Sequence, residues 1–208
     1  MLITFDECVR FVSSKNGKVR GIMHVGAHEM QELPMYSKHN INDILWFEAQ
    51  EKIVAKQKAK YPNHNIYQLV ASNVDKAVLE FNVTNNGESS SLLKFGTHAT
   101  EHPQVHVVET ITVTTSRLDT WIQKNNVDMS RYNFLNLDIQ GAELLALQGF
   151  GDYIRNFDFI YAEVNEKELY IGCALLHEID EYLSRFGFKR VLTKMLNHGW
   201  GDALYSRL

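Results

Sequence analysis

The sequence predicts an α/β fold with a mostly parallel β-sheet and helices on both faces of that sheet. Short apolar runs typical of buried strands alternate repeatedly with helical segments along the 208 residues. These runs are almost continuously apolar, as strands are when both faces of a parallel sheet are covered. The turns between the segments are short and polar, which favours simple crossover connections between consecutive strands.

The predicted elements follow one another in a regular order. Thr4 and Glu7 form a capping box that begins a first helix, which Gly17 ends. Apolar and alternating runs predict strands over residues 21–25, 44–47, 66–70, 78–83, 105–113, 134–137, 157–164, 188–192 and 203–205. Further helices are predicted at Pro34, over 50–60, from a cap formed by Ser116 and Asp119, from Asp138 to Gly149, and over 174–186. The strands at 78–83 and 105–113 are expected to pair with each other.

Composition excludes several classes of protein. The 21 basic and 25 acidic residues give a formal net charge of −4 without a basic cluster, which argues against nucleic-acid binding. No apolar run approaches the ~20 residues of a transmembrane helix, and the N-terminus lacks the basic region of a signal peptide. Two cysteines far apart are too few for a disulfide framework or a thiolate zinc site. We therefore expect a cytoplasmic protein with no transmembrane segment.

A single domain is expected over the whole chain. Its predicted parts are an N-terminal helix within 1–19, a cofactor-binding core over 20–165, and a C-terminal helix and strands over 166–208.

Ligands of such sheets bind beyond the carboxyl ends of the strands. Gly26 follows the first strand, and Glu48 ends the second. Only one glycine is present where dinucleotide-binding folds have G-x-G-x-x-G, which argues against a bound pyrophosphate. A carboxylate at Glu48 can accept hydrogen bonds from both hydroxyls of a ribose. The pattern predicts a ligand with a ribose and no phosphates, for which S-adenosylmethionine is the obvious candidate. The alternative is that Gly26 only forms a turn and that Glu48 is a solvated acid, neither with a role in binding.

Six short motifs favour a functional site at this edge of the sheet, because they occur in the order found in one known family. They are His24-Val-Gly-Ala-His28, Trp46-Phe-Glu48, Val70-Ala-Ser72, Ser89-Ser-Ser-Leu-Leu93, Leu137-Asp-Ile-Gln-Gly-Ala-Glu143 and Tyr161-Ala-Glu163. The chain resembles the FkbM-type S-adenosylmethionine-dependent methyltransferases from about residue 20 to 165. It departs from them at Ala49, where proline is usual, and at Gln140, where glutamate is usual.

The resemblance implies a Rossmann-like seven-stranded class I methyltransferase fold, with the last strand antiparallel and a β-hairpin insertion. It also implies O-methylation of a hydroxyl on a sugar or a polyketide. The cofactor-binding residues are then expected to be Gly26, Ala27, His28, Gln31, Glu48, Ala71, Ser72 and Asp138. The acceptor-binding residues are expected to be Ser89, Ser90, Ser91 and Trp200, with Tyr170 as a second aromatic plane.

A general base is needed to take the proton of the acceptor hydroxyl. Asp138 is the first candidate because it follows a central strand, Glu163 is the second, and His198 is the third. Asp138, Glu163 and Asp202 could also hold Mg²⁺ or Mn²⁺, although their spacing does not demand a metal. The repeat His98, His102 and His106 is not expected to bind metal, because Pro103 breaks any helix there.

The expected function is O-methylation of a sugar hydroxyl, such as that of a deoxyhexose in a glycan, with a glycosyltransferase as a partner. Two alternatives remain open at this point. One is an O-methyltransferase of a polyketide or another small molecule, and the other is a nucleotide-binding module or pseudoenzyme that transfers no methyl group.

Overall fold

The computed structural model describes residues 1–207, so Leu208, the last residue of the expected domain, lies outside the described residues. The helices are α1 (Phe5–Ser14), α2 (Leu33–Lys38), α3 (Glu51–Lys60), α4 (His98–Glu101), α5 (Leu118–Lys124), α6 (Glu143–Gly149) and α7 (Leu176–Ser184). The strands are β1 (Ile22–Val25), β2 (Ile44–Glu48), β3 (Asn65–Gln68), β4 (Val70–Ala71), β5 (Val78–Thr84), β6 (Val107–Ser116), β7 (Phe134–Leu137), β8 (Phe159–Asn165), β9 (Lys189–Met195) and β10 (Trp200–Ser206). Within residues 1–207, no helix is both long and apolar enough to cross a membrane.

Seven strands form the main sheet in the order β3-β2-β1-β7-β8-β10-β9. The first five are parallel to one another, and β10 runs antiparallel to both of its neighbours. Every residue of the central strands β1 and β7 is buried, which explains why they are apolar except for His24 and Asn136. Both of these polar side chains lie within hydrogen-bond distance of the Tyr36 hydroxyl. The predicted class I methyltransferase fold with an antiparallel last strand is confirmed.

Helices cover both faces of this sheet, and each face has its own apolar core. On one face α5, α6 and α7 contribute Ile122, Leu147 and Leu183. On the other face α1, α2 and α3 pack through residues that include Tyr36 and Val54. Neighbouring residues of a strand point to opposite faces, so a single apolar run supplies both cores.

The third predicted strand, over 66–70, is divided between two sheets. The main sheet takes β3, whereas β4 begins at Val70 and pairs in parallel with β6. The antiparallel partner of β6 is β5, which completes a small three-stranded sheet. Residues 85–106 join β5 to β6 and include α4, so the insertion is a strand pair with a long connection.

Of the three helix starts predicted from a capping pair or a proline, two are confirmed. The backbone N–H of Thr4 donates to Glu7 Oε2 at 2.9 Å, as a capping box requires, and Pro34 lies in the first turn of α2. The predicted cap of α5 by Ser116 and Asp119 is wrong. Ser116 belongs to β6, because it pairs there with Ala71 of β4, and the Asp119 carboxylate accepts from the Arg117 guanidinium at 2.9 Å.

Candidate active site

A cavity of about 410 Å³ opens beyond the carboxyl ends of the parallel strands. Along it lie Glu48, Gly26, Asp138 and Glu163, which follow the order of β2, β1, β7 and β8 in the main sheet. Ala71, on β4 of the small sheet, also lines it. Adjacent strands are about 4.8 Å apart, so Glu48 and Glu163 stand roughly 14 Å from each other across three strand spacings. The cavity is therefore long enough for one ligand part at each end.

Gly26 is required by a contact between two loops of the protein. Its φ of +96° is unfavourable for other residues, and a Cβ at this position would lie 1.7 Å from the carbonyl oxygen of Asp138. The closest atom therefore belongs to the turn after β7. This contact brings Asp138 beside the loop that follows β1, residues 26–31, which we call the first cofactor loop.

Glu48 is the buried carboxylate that the sequence predicted at the end of β2. Its two oxygens accept backbone N–H bonds, from His28 at 2.9 Å and from Gln50 at 2.9 Å. Burial raises the pKa of Glu48. A carboxylate offers about four acceptor positions, so roughly two remain for hydroxyls of a ligand.

Apolar side chains line the cavity on the side of Glu48. They are Phe47, Leu69, Val70, Ala71, Phe81 and Leu92, whereas Ile139 and Ala142 line the cavity from the turn after β7. A flat apolar base such as adenine fits this surface. Two predicted cofactor residues do not line the cavity: Ala27 packs into the core beneath α1 and α2, and Ser72 donates its backbone N–H to the Ser116 carbonyl oxygen at 3.1 Å.

The connection between β5 and β6 packs over the first cofactor loop. Gln31 Nε2 donates to His28 Nδ1 at 3.0 Å and to Glu88 Oε1 at 3.2 Å. A Cβ on Gly87 would lie 2.7 Å from His28 Nε2, so the two loops touch. His28 and Gln31 both line the cavity, as predicted, and they also link its floor to the insertion.

Gln140 joins the two candidate catalytic carboxylates. Its Nε2 donates to Asp138 Oδ1 at 2.8 Å and to Glu163 Oε2 at 2.7 Å. Its Oε1 accepts from the Tyr170 hydroxyl at 2.6 Å, which holds the amide nitrogen toward the carboxylates. Tyr170 is fully buried, so its ring cannot offer the exposed stacking plane expected from the sequence.

The two carboxylates differ in their surroundings. Burial, together with the charges of Asp138 and Glu143, raises the pKa of Glu163 well above its ordinary value. Asp138 is partly exposed to the cavity. Neighbouring Glu143 accepts the backbone N–H groups of Ile139 at 3.0 Å and Gly141 at 3.1 Å, and burial raises its pKa to about 7. The arrangement favours a protonated Glu163 beside Asp138.

The serine run, which the sequence predicts to bind the acceptor, forms a buried, hydrogen-bonded turn. Ser90 Oγ accepts the backbone N–H of Thr84 at 3.0 Å, and Ser89 Oγ accepts from Asn86 Nδ2 at 3.0 Å. Both serines line the cavity. Ser91 does not line it, because its hydroxyl donates to the Gln140 carbonyl oxygen at 2.7 Å.

Trp200 lines the cavity, whereas His198 does not. His198 Nδ1 lies 2.5 Å from Glu101 Oε2, and its ring is 5.6 Å from that of His102, which does line the cavity. His102 therefore lies between His198 and the cavity, so His198 is not at the place where a catalytic base is needed.

Asp202 lines the cavity but has its own partners. Its Oδ2 accepts the backbone N–H groups of Leu2 and, at 3.0 Å, Ile3, as well as the Tyr161 hydroxyl. It fixes the N-terminal segment beside β8. Among residues 1–207, no three histidine, cysteine or acidic side chains are grouped so that they could hold a metal ion.

The match to known proteins decides the family. A model of the FkbM methyltransferase domain matches residues 24–190, which is most of the chain. The chain belongs to the FkbM methyltransferase family.

Individual relatives of this FkbM-family chain are distant. It is 31% identical over 98 residues to the 2-O-methyltransferase NoeI of Sinorhizobium fredii (strain NBRC 101917 / NGR234), a match that spans 47% of the chain and 40% of that relative. The methyltransferase domain of bacterial CtHen1-CN has a similar fold, with 10% identity, a TM-score of 0.50, and coverage of 97% of this chain and 96% of that one. Magnesium protoporphyrin IX methyltransferase of Synechocystis, with bound cofactor, has 12% identity, a TM-score of 0.46, and coverage of 98% and 77%.

S-adenosylmethionine is the cofactor of the FkbM family, and the cavity fits it. Glu48 has free acceptor positions for a ribose, and an apolar surface for adenine lies beside it. Gly26, His28 and Gln31 line the stretch between Glu48 and Asp138, where the methionine part would lie.

Sequence reasoning missed several residues of this FkbM-family site. His98 and His102 line the cavity, and the sequence singled them out only as a doubtful metal-binding repeat; His106 does not line it. The bridge made by Gln140 had only one signal, the departure from the glutamate that is usual in the family. Nothing local in the sequence indicated that Glu143 would hold the turn after β7.

Proposed function

We propose that the protein is an S-adenosylmethionine-dependent O-methyltransferase that acts on a hydroxyl of a sugar. The observation that carries this proposal is the order of groups along one cavity. A ribose-binding carboxylate, Glu48, stands at one end, and a partly exposed carboxylate, Asp138, stands beside a buried partner, Glu163, at the other. The first end suits a nucleoside, and the second suits an acceptor that must lose a proton.

S-adenosylmethionine supplies the methyl group when bound: the acceptor oxygen bonds to the methyl carbon while the carbon–sulfur bond breaks, and its electron pair leaves on S-adenosylhomocysteine. Asp138 accepts the hydroxyl proton in this proposal. Gln140 holds both carboxylates, and protonated Glu163 adds no second negative charge beside Asp138. Positioning of the two reactants supplies a further part of the rate, of the order of 7–11 kcal/mol in well-oriented cases.

One relative and one wall of the cavity support the choice of acceptor. The relative NoeI is described as a 2-O-methyltransferase, which favours oxygen as the acceptor atom. A sugar, such as a deoxyhexose of a glycan, suits the polar wall of Ser89, Ser90 and Trp200. We propose that a single domain over residues 1–208 catalyses this methylation in the cytoplasm and that it acts together with a glycosyltransferase. A polyketide hydroxyl is the alternative acceptor.

Cofactor binding is tested by calorimetric titration with S-adenosylmethionine and, separately, NAD. The Glu48→Ala variant should lose about 3 kcal/mol of affinity for S-adenosylmethionine, or roughly a hundredfold in Kd, because two charge-assisted hydrogen bonds disappear. Exposed Glu51, which does not line the cavity, provides the matched control Glu51→Ala. Binding of NAD, or equal affinity in both variants, would contradict the proposal.

Methyl transfer is tested by release of S-adenosylhomocysteine with a panel of glycosides and polyketides, with EDTA and with Mn²⁺. Asp138→Asn keeps an oxygen that can accept from Gln140 but removes the base. We expect kcat to fall by about 10²–10⁴ with cofactor affinity retained. A protein that binds S-adenosylmethionine but turns over no acceptor would instead be a nucleotide-binding module.

A further inference from the structure

Beyond the two carboxylates, the cavity has a second wall built from residues far apart in the sequence. His98 and His102 come from the connection between β5 and β6, and Trp200 begins β10. The His98 ring stacks on Phe95 with centroids 4.2 Å apart and lies 4.9 Å from the His102 ring. Leu169 completes this wall. We call these residues, His98, His102, Leu169 and Trp200, the imidazole–indole wall.

This wall contains polar nitrogens without a partner. His98 is 4% exposed, and its Nδ1 has no hydrogen-bond partner within the described residues. Trp200 Nε1 is also buried without a partner there. Buried polar groups are nearly always hydrogen-bonded in folded proteins. His98 and Trp200 both line the cavity, so the two nitrogens without a partner belong to side chains that a ligand at this wall would contact.

Carboxyl groups dominate the charge of the cavity. Six of them line it: Glu32, Glu48, Glu88, Asp138, Glu163 and Asp202. All of these except the protonated Glu163 can carry a negative charge. No lysine or arginine side chain among residues 1–207 lines it. The amino group of Met1 also lies at the cavity, where it acts on Asp202, whose pKa burial raises. Such a cavity attracts a cationic sulfonium and repels an anionic ligand.

His98 does not supply the missing positive charge. Burial and the neighbouring His102 lower the pKa of His98, which therefore stays neutral near pH 7. A neutral imidazole offers one donor and one acceptor, which is the chemistry that hydroxyl groups need.

We propose that the imidazole–indole wall is the acceptor subsite and that it takes an uncharged, polyhydroxylated ring, a glycoside without phosphate or carboxylate near the reacting hydroxyl. This inference rests on the proposed function and narrows it. Activated sugar donors carry a phosphate ester at the anomeric carbon, so the cavity selects against them. The reaction that supplies the substrate is then a glycosyl transfer, which has already replaced that phosphate by a glycosidic bond.

The test compares matched acceptors that differ in charge. Methyl glycosides of common hexoses and 6-deoxyhexoses, rhamnose among them, are assayed beside the corresponding sugar 1-phosphates, with release of S-adenosylhomocysteine as the readout. For every sugar that is methylated, we expect kcat/KM to favour the methyl glycoside by about tenfold or more at low salt, and by less at high salt. Equal or better use of the phosphates would overturn the inference and leave the methyltransferase function intact. If the protein binds the cofactor but methylates neither class of sugar, both the proposed sugar acceptor and this inference are refuted.

Two variants test the wall itself. His102→Arg adds a cation and should improve use of the sugar 1-phosphate relative to the glycoside by about fivefold, the value of one partly exposed ion pair. His106→Arg, on the same connection but outside the cavity, should leave that ratio unchanged. His98→Phe keeps a planar ring against Phe95 without the nitrogens. It should raise the acceptor KM about five- to tenfold without changing cofactor affinity. An unchanged KM would show that His98 does not contact the acceptor.

Discussion

The bridge made by Gln140 can be tested with one substitution, because exchanging a single atom removes both hydrogen bonds to the carboxyl groups. Gln140→Glu replaces the amide nitrogen, which donates to Asp138 at 2.8 Å and Glu163 at 2.7 Å, by an oxygen of the same size. The other half of the side chain still accepts from Tyr170. The contact with Asp138 becomes repulsive, and the hydrogen bond that the amide donates to Glu163 is lost.

The expected loss follows from these two contacts. A hydrogen bond to a charged group contributes about 1.5–3 kcal/mol and one to a neutral group about 0.5–1.5 kcal/mol, so losing both costs about 3 kcal/mol of unfolding free energy. Because each pKa unit corresponds to about 1.4 kcal/mol, this loss raises the pKa of the new carboxyl by roughly two units above its unfolded value near 4.3. The folded variant then binds more protons than the unfolded chain between about pH 4.3 and 6.3. Its stability relative to the parent protein therefore falls as the pH rises through this window.

Urea unfolding at about pH 5 and pH 8.5 measures this difference. We expect the deficit of Gln140→Glu to be about 3 kcal/mol at the higher pH and about 1 kcal/mol at the lower. Gln148→Glu is the matched control, because Gln148 is also half-buried but has Arg117 as its charged neighbour. A deficit under about 1 kcal/mol at pH 8.5, or one that does not shrink on acidification, would refute the bridge.

Two further predictions concern the loops around the cavity. Gly26→Ala should lower the unfolding free energy by about 4 kcal/mol or more, since its Cβ would meet the Asp138 carbonyl oxygen at 1.7 Å. Gly172→Ala, with a φ of +78° and no atom within 4 Å, should lose only about 1–2 kcal/mol in the same thermal unfolding experiment. Asp202→Ala should cost about 3 kcal/mol and accelerate hydrogen exchange at the N-terminal segment, because two backbone N–H groups and the Tyr161 hydroxyl lose their acceptor. Unchanged exchange there would show that Asp202 does not hold the segment.

Much of the fold was predictable because it depends on patterns between neighbouring residues. The central strands are short apolar runs, and both of their faces are buried. The cap of α1 needs only Thr4 and Glu7, three positions apart. The start of α5 was wrong for the opposite reason: Ser116 has a distant partner, Ala71, which holds it in a strand. The pairing of β6 with the distant strand β4 therefore prevented Ser116 from capping α5.

The sequence by itself determined the class of the fold, the family, and the carboxylates at the strand ends. Parallel strands carry their carboxyl ends to one edge, so Glu48, Asp138 and Glu163 had to lie along the same cavity. Only the tertiary structure decided what surrounds them. The paths of the long connections bring His98 and Trp200 to one wall, and Gln140 reaches two carboxylates because Tyr170, thirty positions later, orients its amide. These contacts depend on the order of strands and the course of loops, and no spacing between neighbouring residues encodes them.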